Sequence, residues 1–154
     1  MNSFLCVPAR LTVPALLLAM GMAGCASAPM KEAVSTKEAP AAIGPYSQGI
    51  KVGNLLFLSG QISIDPKTNQ MSSGSIEEQT KQALENLDAV LKAEGMSMEN
   101  VVNTTVYLKD VNDFGKMNTV YGTFFKDKPP ARATVQVARL PRDALVEISA
   151  IASK

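Results

Sequence analysis

Residues 76–91 place Ile76, Ala83, Leu84, Leu87, Val90 and Leu91 on one stripe at helical spacing, and the rest of the chain has to be arranged around that helix. Ser75-Ile76-Glu77-Glu78 has the capping-box pattern that opens a helix, and Gly95 ends it. A second helix starts after Asp110 or Asn112, carries Phe114, Met117, Val120, Tyr121, Phe124 and Phe125, and stops at Pro129–Pro130. Around these two helices the pattern is short and β-like. Gln48–Val52 and Leu55–Ser59 flank a Gly53–Asn54 turn, and Val101–Leu108, Thr134–Ala138 and Leu145–Ala152 follow. The order is β-β-α-β-α-β-β. With few helices and many strands, the spacing predicts an α+β layer, a mixed sheet with both helices on one face. The other face keeps apolar residues that need cover, and copies of the chain in a closed ring would supply it.

The first residues are a different material. Residues 1–24 carry one charge, Arg10, and an apolar run from Leu11 to Met22. About a dozen residues cannot span a bilayer, but they fit the apolar region of a secretory signal. The run ends in Met22-Ala23-Gly24-Cys25, which resembles a bacterial lipobox with Cys25 as the lipidated residue. A signal peptide over 1–24 also accounts for the cysteines: Cys6 leaves, and Cys25 remains as an acylated N-terminus rather than a stray thiol. Several acyl chains would hold the protein on a membrane. Residues 25–39, small, polar and proline-spotted, read as a flexible tether. Residues 40–154 then form one domain. The expected place is the periplasm, by export and a lipid anchor.

Removing residues 1–24 removes Arg10 and leaves 14 basic and 14 acidic residues in the remainder of the chain. A nucleic-acid binder shows a basic excess or stripe, and none is visible. The chain has no His. That excludes Ser–His and Cys–His nucleophiles, argues against zinc and most transition-metal sites, and leaves acid–base work to Asp, Glu, Lys, Tyr, Cys or water.

Two charged residues stand out. Arg132 follows two prolines at the mouth of a strand, between Ala131 and Ala133. Its planar fork suits a carboxylate, though an edge-strand Arg that blocks aggregation reads the same way. Glu147 sits between Val146 and Ile148 in a strand. Alternation puts it on one face with Leu145, Ser149 and Ile151. A half-buried carboxylate there could hold a water and move a proton, or be half of a structural ion pair. Tyr46 could cap a pocket or pack in a core. Gly60, after Ser59, permits close approach to a ligand or simply ends a strand. Asn118 is a polar residue on an otherwise aromatic helix.

Four blocks together carry a resemblance: "GPYSQGIKVGNLLFLSGQI", "QTKQALENLDAVLKAEG", "VVNTTVYLKDVNDFGKMNTVYGTFF" and "PPARATVQVARLP…ALVEISAIA". In order and over about Pro40 to Ala152, they resemble the reactive-intermediate deaminase (RidA/YjgF) family. The resemblance implies a chorismate-mutase-like α+β fold, and a homotrimer whose sheets form an inner barrel with sites in the clefts between subunits. It implies hydrolysis of 2-imino and enamine acids to 2-keto acids and ammonia with no metal or organic cofactor. The family's substrate-carboxylate Arg falls on Arg132 and its acid on Glu147. Its pocket Tyr falls on Tyr46, its Ser–Gly pair on Ser59 and Gly60, and its helix Asn on Asn118. Thr134 stands where some members have Cys, and Ser63 where Pro is frequent. The alternative is a protein of the same fold that binds small carboxylates, or acts as a holdase, without catalysis.

Overall fold

The computed structural model describes residues 30–154. Six strands form one sheet in the order β1 (Lys31–Val34), β2 (Gly49–Val52), β3 (Leu55–Gln61), β6 (Val146–Ser153), β4 (Val101–Leu108), β5 (Ala131–Gln136). All neighbours are antiparallel except β4 and β5, which run parallel because a helix crosses between them. The helices are α1 (Ile76–Ala93) and α2 (Phe114–Phe124). The expected mixed sheet with two helices on one face is what forms.

The helices form where the pattern predicts. Ser75 accepts from the Glu78 N–H, and the Glu78 carboxylate accepts from the Ser75 N–H, so the capping box closes. Gly95 takes a left-handed φ of 63° just past the end of α1. The second helix starts differently. Asp110 caps a 3-10 turn over Val111–Asp113, and α2 follows it without a side-chain cap of its own. Leu84, Leu87, Val90 and Leu91 of α1 are buried against Leu56, Leu58, Val106, Leu108, Val146 and Ile148 of the sheet. Met117 and Tyr121 of α2 complete that layer.

One expectation changes at the N-terminal side. Residues 31–39, read as tether, belong to the domain. Lys31–Val34 pairs with β2, and Val34 and Ala39 are buried. Buried Gln48 fixes the stretch that follows. Its Oε1 accepts from Thr36 N–H at 2.6 Å, and its Nε2 donates to the carbonyls of Thr36, Ala39 and Pro40. The signal segment 1–24 and Cys25 lie outside the described residues.

Along β6 burial alternates strictly. Val146, Ile148, Ala150 and Ala152 face the helices, and Glu147, Ser149, Ile151 and Ser153 face the open side. That open face also carries apolar surface. Phe57 on β3 is 42% exposed and Val135 on β5 is 44% exposed.

Candidate active site

The site begins with an irregularity in β3. Leu58 pairs with Ala150 but Gln61 pairs with Ile148, so β3 has one residue more than β6 over this stretch. The bulge falls at Ser59–Gly60. Bulges kink a strand and re-aim its side chains. Here the bulge opens a gap beside Glu147. The carboxylate fills it so closely that a Cβ on Gly60 would overlap Oε1 and lie 2.8 Å from Cδ. Glycine is therefore required for the approach itself, not for an unusual φ.

Glu147 thus lines a cavity of about 550 Å3 together with Tyr46, Ser59, Gly60, Gln61 and Arg142. The volume is within the roughly 300–1,000 Å3 of small-molecule sites. Among the described residues Glu147 has no ion-pair partner, so the ion-pair reading fails within one chain. Burial pushes its carboxyl above the ordinary value, and no cation counters this. An acid held so can take up and release a proton nearer to neutrality.

The walls are braced by buried amides. Asn86 on α1 donates to the carbonyls of Ile62 and Ile64, just after β3. Gln79 on α1 donates to Ser72 and Gly74 and accepts from the Leu145 N–H, two residues before Glu147. Ser59 Oγ donates to the Ser47 carbonyl at 2.6 Å, which ties the bulge to the segment carrying Tyr46. Tyr46 is half exposed, and its hydroxyl accepts from the Ile43 N–H at 3.3 Å.

Arg132 is elsewhere. It pairs with Thr104 across β4–β5, and Thr104 faces α2, where its hydroxyl is 2.7 Å from that of Tyr121. The guanidinium lies over the Tyr121 ring at 4.5 Å and near the Phe114 ring at 5.6 Å, a cation–π stack that holds the fork flat. Glu147 pairs with Tyr107 on the same β4, three residues from Thr104. Side chains alternate along a strand, so Arg132 and Glu147 project from opposite faces of the sheet. Thr134 shares the face of Arg132, and its buried Oγ1 has no hydrogen-bond partner among the described residues. Asn118 is one turn from both Phe114 and Tyr121 on α2.

The seven candidate residues therefore form two groups on one chain. Tyr46, Ser59, Gly60 and Glu147 line the cavity; Arg132, Asn118 and Thr134 lie at the β5–α2 edge. Arg142, Gln61, Gln79 and Asn86 were not among the sequence candidates. Gln79 and Asn86 did leave a signal, as polar residues that share the apolar stripe of α1 at spacings of three, four and seven. Arg142 left none, because its position depends on a left-handed backbone (φ 54°). Among the described residues no three His, Cys, Asp or Glu side chains converge as a metal site would need.

Residues 36–154 match the family model described as Endoribonuclease L-PSP. A RutC family protein from Pyrococcus horikoshii is 57% identical over 125 residues, covering 81% of this chain and 99% of its own. The Mus musculus 2-iminobutanoate/2-iminopropanoate deaminase is 51% identical over 123 residues, 80% of this chain and 91% of its own. Among solved structures, E. coli TdcF with bound serine superposes with a TM-score of 0.77 at 41% identity, covering 80% of this chain and 98% of that one.

Proposed function

The chain belongs to the Endoribonuclease L-PSP family, the RidA/YjgF family of the sequence resemblance, and within it we propose that this protein hydrolyses 2-imino and enamine acids to 2-keto acids and ammonia. The observation that carries the reading is the unpaired carboxylate of Glu147, pressed against Gly60 in a cavity whose matching cation is on the other face of the sheet. A second copy supplies what one chain lacks. It covers the open face around Phe57 and Val135, and it brings its own Arg132, with Asn118 and Thr134, to the mouth of the cavity. A closed trimer does this three times over. The mouse deaminase and the serine bound to E. coli TdcF point the same way, toward small amino-acid-derived carboxylates.

In this arrangement Arg132 of one copy holds the substrate carboxylate through its planar fork. That places the imine carbon over Glu147 of the other copy. Such positioning alone is worth several kcal/mol. A water held by the ionised Glu147 gives up a proton to it and attacks the imine carbon. The tetrahedral carbinolamine receives that proton on nitrogen. Ammonia leaves as the carbonyl forms, with the re-ionised Glu147 accepting the hydroxyl proton and passing it to the departing ammonia as ammonium. The iminium is already electrophilic, so one acid–base group of raised pKa suffices.

The test is direct. An amino-acid oxidase or a threonine dehydratase generates the imine, and semicarbazide traps what has not been hydrolysed. The protein should lower the semicarbazone yield at catalytic concentration. No effect on imine lifetime contradicts the proposal and favours a carboxylate-binding protein of the same fold. From residues 1–25 alone, the proposal extends to export and an anchor at Cys25.

A further inference from the structure

We propose that Arg142 makes the cavity selective for imino acids with a second carboxylate, such as the imines formed by oxidation of acidic amino acids. The inference rests on the deaminase reading and concerns the substrate that site prefers. Arg142 is the only Lys or Arg among the described residues that line the cavity. It has no ion-pair partner among the described residues, whereas the neighbouring Arg139 is committed through Nε and Nη2 to the Asp143 carboxylate at 2.9 and 3.0 Å.

The guanidinium is nevertheless held in place. One Nη1–H donates to the Asn69 carbonyl at 3.2 Å. A guanidinium has five N–H donors, so most remain available to a ligand. The backbone below it is fixed as well. Arg142 and Asp143 both have left-handed φ values, 54° and 56°. The loop carrying them closes through Asp143 N–H to Leu140 and Ala144 N–H to Pro141. Non-glycine residues keep such angles only where the surroundings impose them. Arg142 is itself solvent-exposed, and this short loop with the Asn69 contact sets it at the rim of the cavity it lines.

The consequence follows from charge placement. Glu147 must handle water and a proton, and the partner's Arg132 takes the carboxylate next to the imine carbon. A monocarboxylic imine leaves Arg142 with nothing to bind. A four- or five-carbon dicarboxylic imine presents a second carboxylate several bonds away, and the cavity has the volume to hold it extended. Charge-assisted bonds to a guanidinium fork are the stronger class of hydrogen bond, so the preference belongs in affinity and in kcat/KM together.

Two measurements test this on the intact protein. The first compares succinate with butyrate by titration calorimetry, in wild type, Arg142→Gln and Arg142→Lys. Wild type should bind succinate about tenfold more tightly than butyrate. Arg142→Gln should lose that preference with butyrate affinity unchanged, and Arg142→Lys should keep part of it. The second compares hydrolysis of the imines made from aspartate and from alanine, where only the first should slow in Arg142→Gln. Equal affinity of wild type for the two acids, or an equal loss for both in Arg142→Gln, overturns the proposal. Succinate binding that depends on Arg142 with no imine hydrolysis of any kind supports the Arg142 assignment and overturns the deaminase reading.

Discussion

Gly60 and Glu147 face each other across the β3–β6 pair so closely that the carboxylate occupies the space a Cβ at position 60 would need. The bulge at Ser59–Gly60 creates that space, and burial there raises the carboxyl's pKa. Shape, position and protonation of the proposed proton-handling group thus come from one local feature of the sheet.

Gly60→Ala tests that feature. The atom displaced is the far end of a flexible side chain, so the fold should survive with a stability loss of about 1 kcal/mol. The carboxylate, however, must swing aside by the width of a methyl group. A misplacement of about 1 Å can lower a rate about 100-fold. Imine hydrolysis should fall by that order while the thermal midpoint moves by a few degrees. Full activity in Gly60→Ala would show that the carboxylate position is not critical.

Glu147→Gln keeps the shape and removes the charge. Turnover should drop about 100- to 10,000-fold, the usual contribution of a general acid–base group. Its effect on stability has a definite sign. Burial raises the folded-state pKa above the unfolded one, so ionising Glu147 opposes folding. Wild type should lose this part of its stability as pH rises from about 4 toward neutrality. Denaturation midpoints measured across that range should therefore move in favour of Glu147→Gln as pH rises. A difference that moves the other way contradicts burial as the dominant influence and points to a cation, such as a partner's Arg132, holding the carboxyl down.

Gln48→Leu tests the cavity wall. The side chain makes four hydrogen bonds to Thr36, Ala39 and Pro40, and a buried leucine would leave those backbone groups unpaired. The expected cost is about 2–3 kcal/mol. Amide exchange should accelerate selectively over residues 36–48. Unchanged exchange there would show that β1 pairing alone holds the segment.

Much of this was legible along the chain because the relevant rules are local. The capping box at Ser75 and Glu78 and the alternation that puts Glu147 opposite Val146 and Ile148 depend on neighbours a few residues away. β1 was not legible. Of Lys31–Val34 only Val34 is buried, so no alternation marks the strand, and it exists because β2 offers an edge. The relation of Arg132 to Glu147 was hidden for a different reason. Each lies on a recognisable strand, but which face each takes depends on pairing both with β4, a non-local fact. Arg142 was hidden because its sequence neighbours give no sign of a left-handed turn: Pro141-Arg142-Asp143 contains no glycine or asparagine.

The anchor proposed at Cys25 has its own test. Cells producing the full chain should incorporate labelled palmitate into it and place it in the membrane fraction. Cys25→Ser should lose both. Label retained in Cys25→Ser, or no label in wild type, contradicts lipidation at that residue.

The central claim is that Arg132 and Glu147 act from different copies of the chain. Arg132→Ala and Glu147→Gln should each be inactive alone, yet regain activity when co-expressed so that subunits mix. An interface that takes Arg132 from the Glu147→Gln copy and Glu147 from the Arg132→Ala copy is intact. With equal and random mixing in a closed ring, about a quarter of the sites are of this kind. The account predicts recovery of about a quarter of wild-type imine hydrolysis. Mixed oligomers that remain as inactive as either parent would contradict it.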